Sequence, residues 1–261
     1  MRLHRAVSLL LIAAACAEDQ AGELGYGASA RQNYQMGMTE LRDENYLEAV
    51  KYLQYVKNKF PFSKYAAYAE LRIADTHFAE GKFLEAIDAY KLFERGHPTH
   101  PEVARGYVGY RVVRANVEQM PEDWFIIPPA YERDQAAARD ALREARDFLE
   151  RFPRSKYVKR VGGYLARIVG RLTEHEIYAA NFYLSRGKPK AAAWRLEALL
   201  EQYPEARREG PALLLLGKTY LQMRDAPRAR EIFARMVRER PGDYNSRKAE
   251  LYLEFMDRER M

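Results

Sequence analysis

Apolar side chains recur along this chain at steps of three and four residues, which is the period of a helix face. No Val/Ile/Thr-rich stretch alternates in the two-residue rhythm of a strand. The pattern falls into register on five prolines: Pro61, Pro98, Pro153, Pro204 and Pro241. Twelve residues before each stands an alanine: Ala49, Ala86, Ala141, Ala192 and Ala229. Eight before stand Leu53, Tyr90, Ala145, Leu196 and Phe233, and five before stand Val56, Phe93, Phe148, Leu199 and Met236. These positions share one helix face. Twenty-four before the proline comes a small residue, Gly37, Ala74, Ala180 or Gly217, on the face of a preceding helix. Proline has no N–H and clashes with the preceding turn, so it ends each second helix. The near-identical phrases "FPFSKY" at Phe60 and "FPRSKY" at Phe152 are two such corners. In each, an aromatic closes a helix, the proline stops it, and Ser63 or Ser155 is placed to cap the next helix ahead of Tyr65 or Tyr157. Neither serine has an acidic residue three positions on, so no capping box is complete.

Small residue, alanine, large apolar residue and proline at these spacings make the tetratricopeptide (TPR) pattern. Each unit is a pair of antiparallel helices that buries its apolar faces only by stacking on its neighbours. The expected fold is therefore all-α: five TPR repeats in a curved solenoid, with a capping helix in "YNSRKAELYLEFMDRERM". The prolines are 37, 55, 51 and 37 residues apart. The third unit is long because "EQMPEDWFIIPPAYERDQ", about residues 119–135, is inserted between its helices. The fourth is long because helix runs from about Ser155 through Ser185 before its second helix. Repeats 1–3 occupy residues 30–153; repeats 4–5 and the cap occupy 154–261. Gly162 and Gly163 inside that long helix read as a close helix contact.

The N-terminus reads as an address. Arg2 and Arg5 precede an apolar run from Ala6 to Ala15, too short to cross a bilayer, which takes about 20 residues. Residues 1–15 fit an export signal. "AAAC" resembles a lipobox, although Ala13 stands where leucine is usual, and cleavage after Ala15 as an ordinary signal also fits. Cys16 is the single cysteine of the chain, so an internal disulfide is impossible and acylation gives it a purpose. Residues 16–29 then form a lipidated flexible tether, and Ala17 rather than aspartate after the cysteine favours the outer membrane.

Composition limits the chemistry. From Cys16 to Pro101 there are 10 Lys/Arg and 13 Asp/Glu; from Glu102 onward there are 31 and 24. Arg151 to Thr173 holds seven basic residues and no acid, which is either a solvated face or a docking surface for an acidic domain or anionic headgroups. Nucleic acid is not expected as a partner of an exported chain without a binding fold. "HEIYA" at His175 lacks the second histidine of a zincin motif, and His97 and His100 in "HPTH" have no accompanying carboxylate or cysteine. No serine–histidine–acid arrangement has motif context. The expectation is no enzyme, no metal and no cofactor.

Residues 64–103, "KYAAYAELRIADTHFAEGKFLEAIDAYKLFERGHPTHPEV", resemble the second repeat of the BamD family, the TPR lipoproteins of the outer-membrane β-barrel assembly machine. Residues 175–204 resemble that family's fourth repeat. The third unit and the last repeat depart from the family pattern. The resemblance implies a lipid-anchored scaffold on the periplasmic face of the outer membrane. It further implies that the scaffold binds unfolded outer-membrane proteins, a POTRA-bearing barrel subunit and other assembly-machine lipoproteins. An arginine at the place of Arg195 contacts the barrel subunit in that family. A periplasmic TPR lipoprotein for envelope tethering or for pilus or motility assembly is the alternative. TPR arrays bind peptides on the face lined by the first helix of each pair. Here that face is expected to present Tyr34, Met38, Leu41, Tyr68, Leu71, Asp75, Phe78, Tyr107, Tyr110 and Arg114, some of which could instead fill the interhelix core.

Overall fold

The computed structural model describes residues 24–121, 129–204 and 210–261. The expected export signal, Cys16 and the Trp124–Ile127 cluster of the insertion lie outside the described residues. Among the described residues twelve α-helices follow one another. The first pair is α1 (Ala30–Arg42) and α2 (Tyr46–Lys59), and the second is α3 (Lys64–Ala79) and α4 (Phe83–Gly96). After the short α5 (Pro101–Ala104), the third pair is α6 (Tyr107–Glu118) and α7 (Ala136–Arg151), with a single 3-10 turn at Ala130–Glu132 between them. The fourth pair is α8 (Val158–Ser185) and α9 (Pro189–Gln202), the fifth α10 (Gly210–Gln222) and α11 (Ala226–Glu239). Helix α12 (Tyr244–Arg258) closes the array against α10 and α11. Apart from the short α5, which sits on α6 while α4 also packs on α6, each helix packs on the next, which gives a curved TPR solenoid with a terminal cap.

The sequence register explains the packing. Ala49, Ala86, Ala141, Ala192 and Ala229 have no accessible surface, and neither do Leu53, Tyr90, Leu196 and Phe233. Gly37 and Gly217 are close-packing sites: a Cβ at Gly37 would meet Leu53 Cγ at 2.9 Å, and one at Gly217 would meet the Phe233 ring at 2.4 Å. In the third pair Ala145 replaces the large residue, and the bulk lies on α6, where Tyr110, Val113 and Val117 belong to the same core cluster. Gly162 and Gly163 correct the sequence reading. A Cβ at either would meet nothing within 4 Å, so no helix packs closely there.

Both proline corners fold alike. Phe60 N–H donates to Val56 O (3.0 Å) and Ser63 N–H to Phe60 O (2.9 Å); Phe152 and Ser155 repeat this at 2.9 and 3.0 Å. Ser63 Oγ accepts from Tyr65 N–H at 3.2 Å and caps α3. Ser155 Oγ accepts from Tyr157 N–H at 3.4 Å and also donates to Arg105 O at 2.8 Å, which ties this corner to the one before α6. A single core cluster runs from α6 to α12, with Phe148 on one side of residue 153 and Tyr157 and Val161 on the other. The apolar core therefore passes across the 153/154 division inferred from sequence. The end of the insertion is pinned as well: His175 Nδ1–H donates to Tyr131 O at 2.6 Å, and buried Gln135 donates to Ala130 O at 2.7 Å.

Candidate peptide-binding groove

Helices α1, α3 and α6 are the first members of three successive pairs, so one face of each lines the same side of the array. On α3, residues three and four apart share that face, and Arg72, Asp75 and Phe78 fall on it. On α6 the same spacing aligns Tyr107, Arg111 and Arg114. Asp75 is buried and is the centre of the arrangement. Its carboxylate accepts from Arg72 on its own helix, from the Tyr90 hydroxyl of α4, and from the Tyr107 hydroxyl of α6 at 2.8 Å. Arg111 Nε lies 3.3 Å from the carboxylate and donates to the Tyr90 hydroxyl at 2.7 Å. Tyr34 of α1 is a favourable electrostatic neighbour of Arg72, and the hydrogen bonds themselves join α3, α4 and α6 of the second and third repeats.

The electrostatics follow from burial and from this single anion. Burial, reinforced by the neighbouring Asp75 charge, pushes the Tyr90 and Tyr107 hydroxyls well above the usual tyrosine range. Burial alone would lower the arginines, but Asp75 holds Arg72 up, and Tyr90 with Asp75 holds Arg111 up, so both guanidinium groups stay charged. Arg111 lies 3.9 Å and Arg114 4.8 Å from the centroid of the Phe78 ring, in cation–π contact. Arg114 also pairs with Glu118 at 3.3 Å. Three arginines against Asp75 and Glu118 leave one positive charge in excess. The groove therefore offers charged donors beside aromatic faces, a surface for an extended chain with acidic or carbonyl groups and apolar side chains.

The residues expected from sequence divide in three. Tyr34, Met38, Leu41, Tyr68, Tyr107 and Arg114 are half-buried. Asp75 and Phe78 are buried but belong to the network. Leu71 and Tyr110 are corrections: Leu71 has no accessible surface and fills the core between α3 and α4. Tyr110 is 5% exposed and its ring stacks at 4.4 Å on Tyr157, the residue just before α8, where it joins the third and fourth pairs. Arg72 and Arg111 were missed. Their signal was present as arginine three residues before Asp75 and four after Tyr107, but charge alone did not mark them as inward-facing.

Other singled-out residues have local partners. His97 Nε2 lies 3.0 Å from Glu70, which Lys57 also contacts at 3.2 Å; His100 Nδ1 accepts from Glu102 N–H and caps α5. Among the described residues no group of three or more His, Cys, Asp or Glu could hold a metal. No described helix is long and apolar enough to cross a membrane. Arg195 does not stand clear of the packed seam: it donates to Glu176 of α8 at 3.3 Å, and its Nε is buried without a hydrogen-bond partner. Its neighbour Trp194 is 65% exposed.

The model of the YfiO family, described as an outer membrane lipoprotein, matches residues 27–234. The chain belongs to that family. The outer membrane protein assembly factor BamD of Neisseria meningitidis serogroup B is 28% identical over 232 residues, covering 85% of this chain and 84% of the relative. BamD of Haemophilus influenzae is 27% identical over 225 residues, covering 85% and 86%. Among solved structures, the TPR2AB domain of yeast Sti1 in complex with an Hsp90 peptide aligns with a TM-score of 0.43 and 9% identity, over 87% of this chain and 85% of that one. The family match covers the groove and Arg195 and ends inside α11, short of the cap.

Proposed function

We propose that this chain is an outer-membrane protein assembly factor: a non-catalytic TPR scaffold, acylated at Cys16, that works on the periplasmic face of the outer membrane. The groove of repeats 1–3 holds unfolded outer-membrane protein, and the α9 surface around Arg195 docks a POTRA-bearing barrel subunit of the BamA type, beside other lipoproteins of the machine. The observation that carries the reading is the Asp75-centred network, which fixes Arg72, Tyr107 and Arg111 across the second and third repeats and so supports a preorganised groove. Names of relatives support the assembly role, and the groove supports the polypeptide-binding part of it.

The groove is tested with Tyr68→Ala combined with Arg114→Ala. Both side chains keep open surface, so helicity is expected to persist while binding of an unfolded outer-membrane β-barrel polypeptide, followed by fluorescence anisotropy, weakens at least tenfold. Unchanged binding would remove the groove from the function. For Arg195, charge reversal to glutamate faces it toward Glu176 and removes a donor from any carboxylate on the barrel subunit. Capture of the barrel subunit in a pull-down is expected to fall while groove binding is kept; normal capture at physiological salt would place that interface elsewhere.

A further inference from the structure

The two proline corners are an internal control on one another. They share five of six residues, the same backbone hydrogen bonds and the same serine acceptor, yet the third position is Phe62 in one and Arg154 in the other. The corner thus folds equally well without an aromatic there. Phe62 is 102% exposed, so its ring packs on nothing among the described residues. A phenyl ring held fully in water on a rigid corner has a use outside the fold.

Its surroundings say what that use is. Residues 57–69 contain Lys57, Lys59 and Lys64 and no acid; Lys57 pairs with Glu70, whereas Lys59 and Lys64 are exposed and, among the described residues, have no carboxylate partner. The chain also leaves the body at this corner. Tyr26 stacks on Tyr55 at 4.0 Å, and Tyr55 lies 6.1 Å from Phe60, two residues before Phe62. Only seven residues stand between Cys16 and Leu24, a reach of at most about 29 Å. Successive antiparallel pairs place every such corner on one edge of the array. The second copy on that edge has Arg154, Lys156 and Arg105 around a cavity of about 630 Å³. A lone aromatic flanked by lysines, beside the exit of an acylated tether, has the composition of an interfacial membrane contact.

We propose that the corner edge of the solenoid lies on the anionic bilayer surface, with Phe62 inserted at the headgroup–acyl boundary and Lys59, Lys64 and the Arg154 corner against headgroup phosphates. The proposal rests on the reading that Cys16 is acylated, and its test separates the two. Because Cys16 is the single cysteine, the exported Cys16→Ser chain carrying Phe62→Cys accepts one environment-sensitive fluorophore. The same chain with Glu80→Cys places the label on the opposite edge, at the exposed turn between α3 and α4. With vesicles of mixed phosphatidylglycerol and phosphatidylcholine, the label at position 62 is expected to brighten and shift to the blue, and the label at position 80 to stay unchanged. Vesicles of phosphatidylcholine alone are expected to give at least tenfold weaker binding, and Lys59→Glu with Lys64→Glu is expected to give the same loss on anionic vesicles. Circular dichroism checks that each variant keeps its helices. A silent label at 62, an equal response at 80, or binding indifferent to headgroup charge overturns the proposal. So does quenching of the label by purified barrel subunit but not by vesicles, which assigns Phe62 to a protein partner. Mass spectrometry of Cys16 in the membrane-extracted wild type tests the anchor independently: an acylated Cys16 with a silent position 62 sinks the edge contact alone, and an unmodified Cys16 with an inserted position 62 sinks the anchor alone.

Discussion

Asp75 carries more of the groove than its neighbours because it is the buried anion shared by Arg72, Tyr90, Tyr107 and Arg111. Asp75→Asn keeps the shape but leaves Arg72 and Arg111 without their counter-charge, and is expected to cost about 2–4 kcal/mol, read as a lower midpoint in urea unfolding. The tyrosines give a second measurement. Tyr90 and Tyr107 are held above the ordinary value of 10 by burial and by Asp75. A raised folded value means that the stability these groups contribute is complete below pH 10 and is lost as the pH rises through the folded values. In an alkaline titration of phenolate absorbance, exposed tyrosines such as Tyr244, lowered by its Lys248 hydrogen bond, are expected to ionise first. Tyr90 and Tyr107 should ionise only together with loss of helical signal. Ionisation of all tyrosines as one group with helicity intact would contradict the network.

At the scale of helices, glycine has opposite meanings in two places. Gly163 is the sixth residue of the 28-residue α8, is exposed, and has open space where a Cβ would stand. Gly163→Ala is expected to stabilise the fold by about 0.5–1 kcal/mol, because it restricts the unfolded chain and favours helix. Gly217→Ala drives a Cβ into Phe233 and is expected to destabilise by about 1–3 kcal/mol, with opposite shifts of the thermal midpoint for the two variants. The sequence alone could not separate them. Gly217 falls on the repeat register and was legible as a contact; Gly162 and Gly163 fall off it, and smallness by itself does not say whether a neighbour is near. The second helices were legible throughout, since alanine, large residue and proline recur at fixed offsets. The third pair was less so, because the large and small residues changed sides at Ala145 and the phase of α6 was lost with them. That is why Tyr110, a core residue, was assigned to the groove and Arg111 was not.

On the whole molecule, three surfaces are set apart by the repeat geometry. The groove belongs to α1, α3 and α6, Arg195 to α9, and the proline corners to one edge. The core cluster from α6 to α12 continues through the third pair into the cap, so the groove's last helix and the Arg195 surface share one packed body. The sites share no side chain, so variants at one are expected to leave the other's binding unchanged. The division of charge, with most of the excess lysine and arginine after residue 102, was legible as a number but not as a place; the folded chain spends many of these groups on local pairs such as Arg151 with Glu94 and Asp147, and Arg195 with Glu176. The claim on which the account depends is that unfolded outer-membrane protein lies in the groove of the first three repeats. Site-specific photo-crosslinking tests it most directly, with the photoreactive residue in place of Arg114 inside the groove or of Asp88 on the exposed face of α4. Incubation with an unfolded outer-membrane β-barrel polypeptide should give a crosslinked band at position 114 and none at 88. Crosslinks of equal yield at both positions, or at 88 alone, would contradict it.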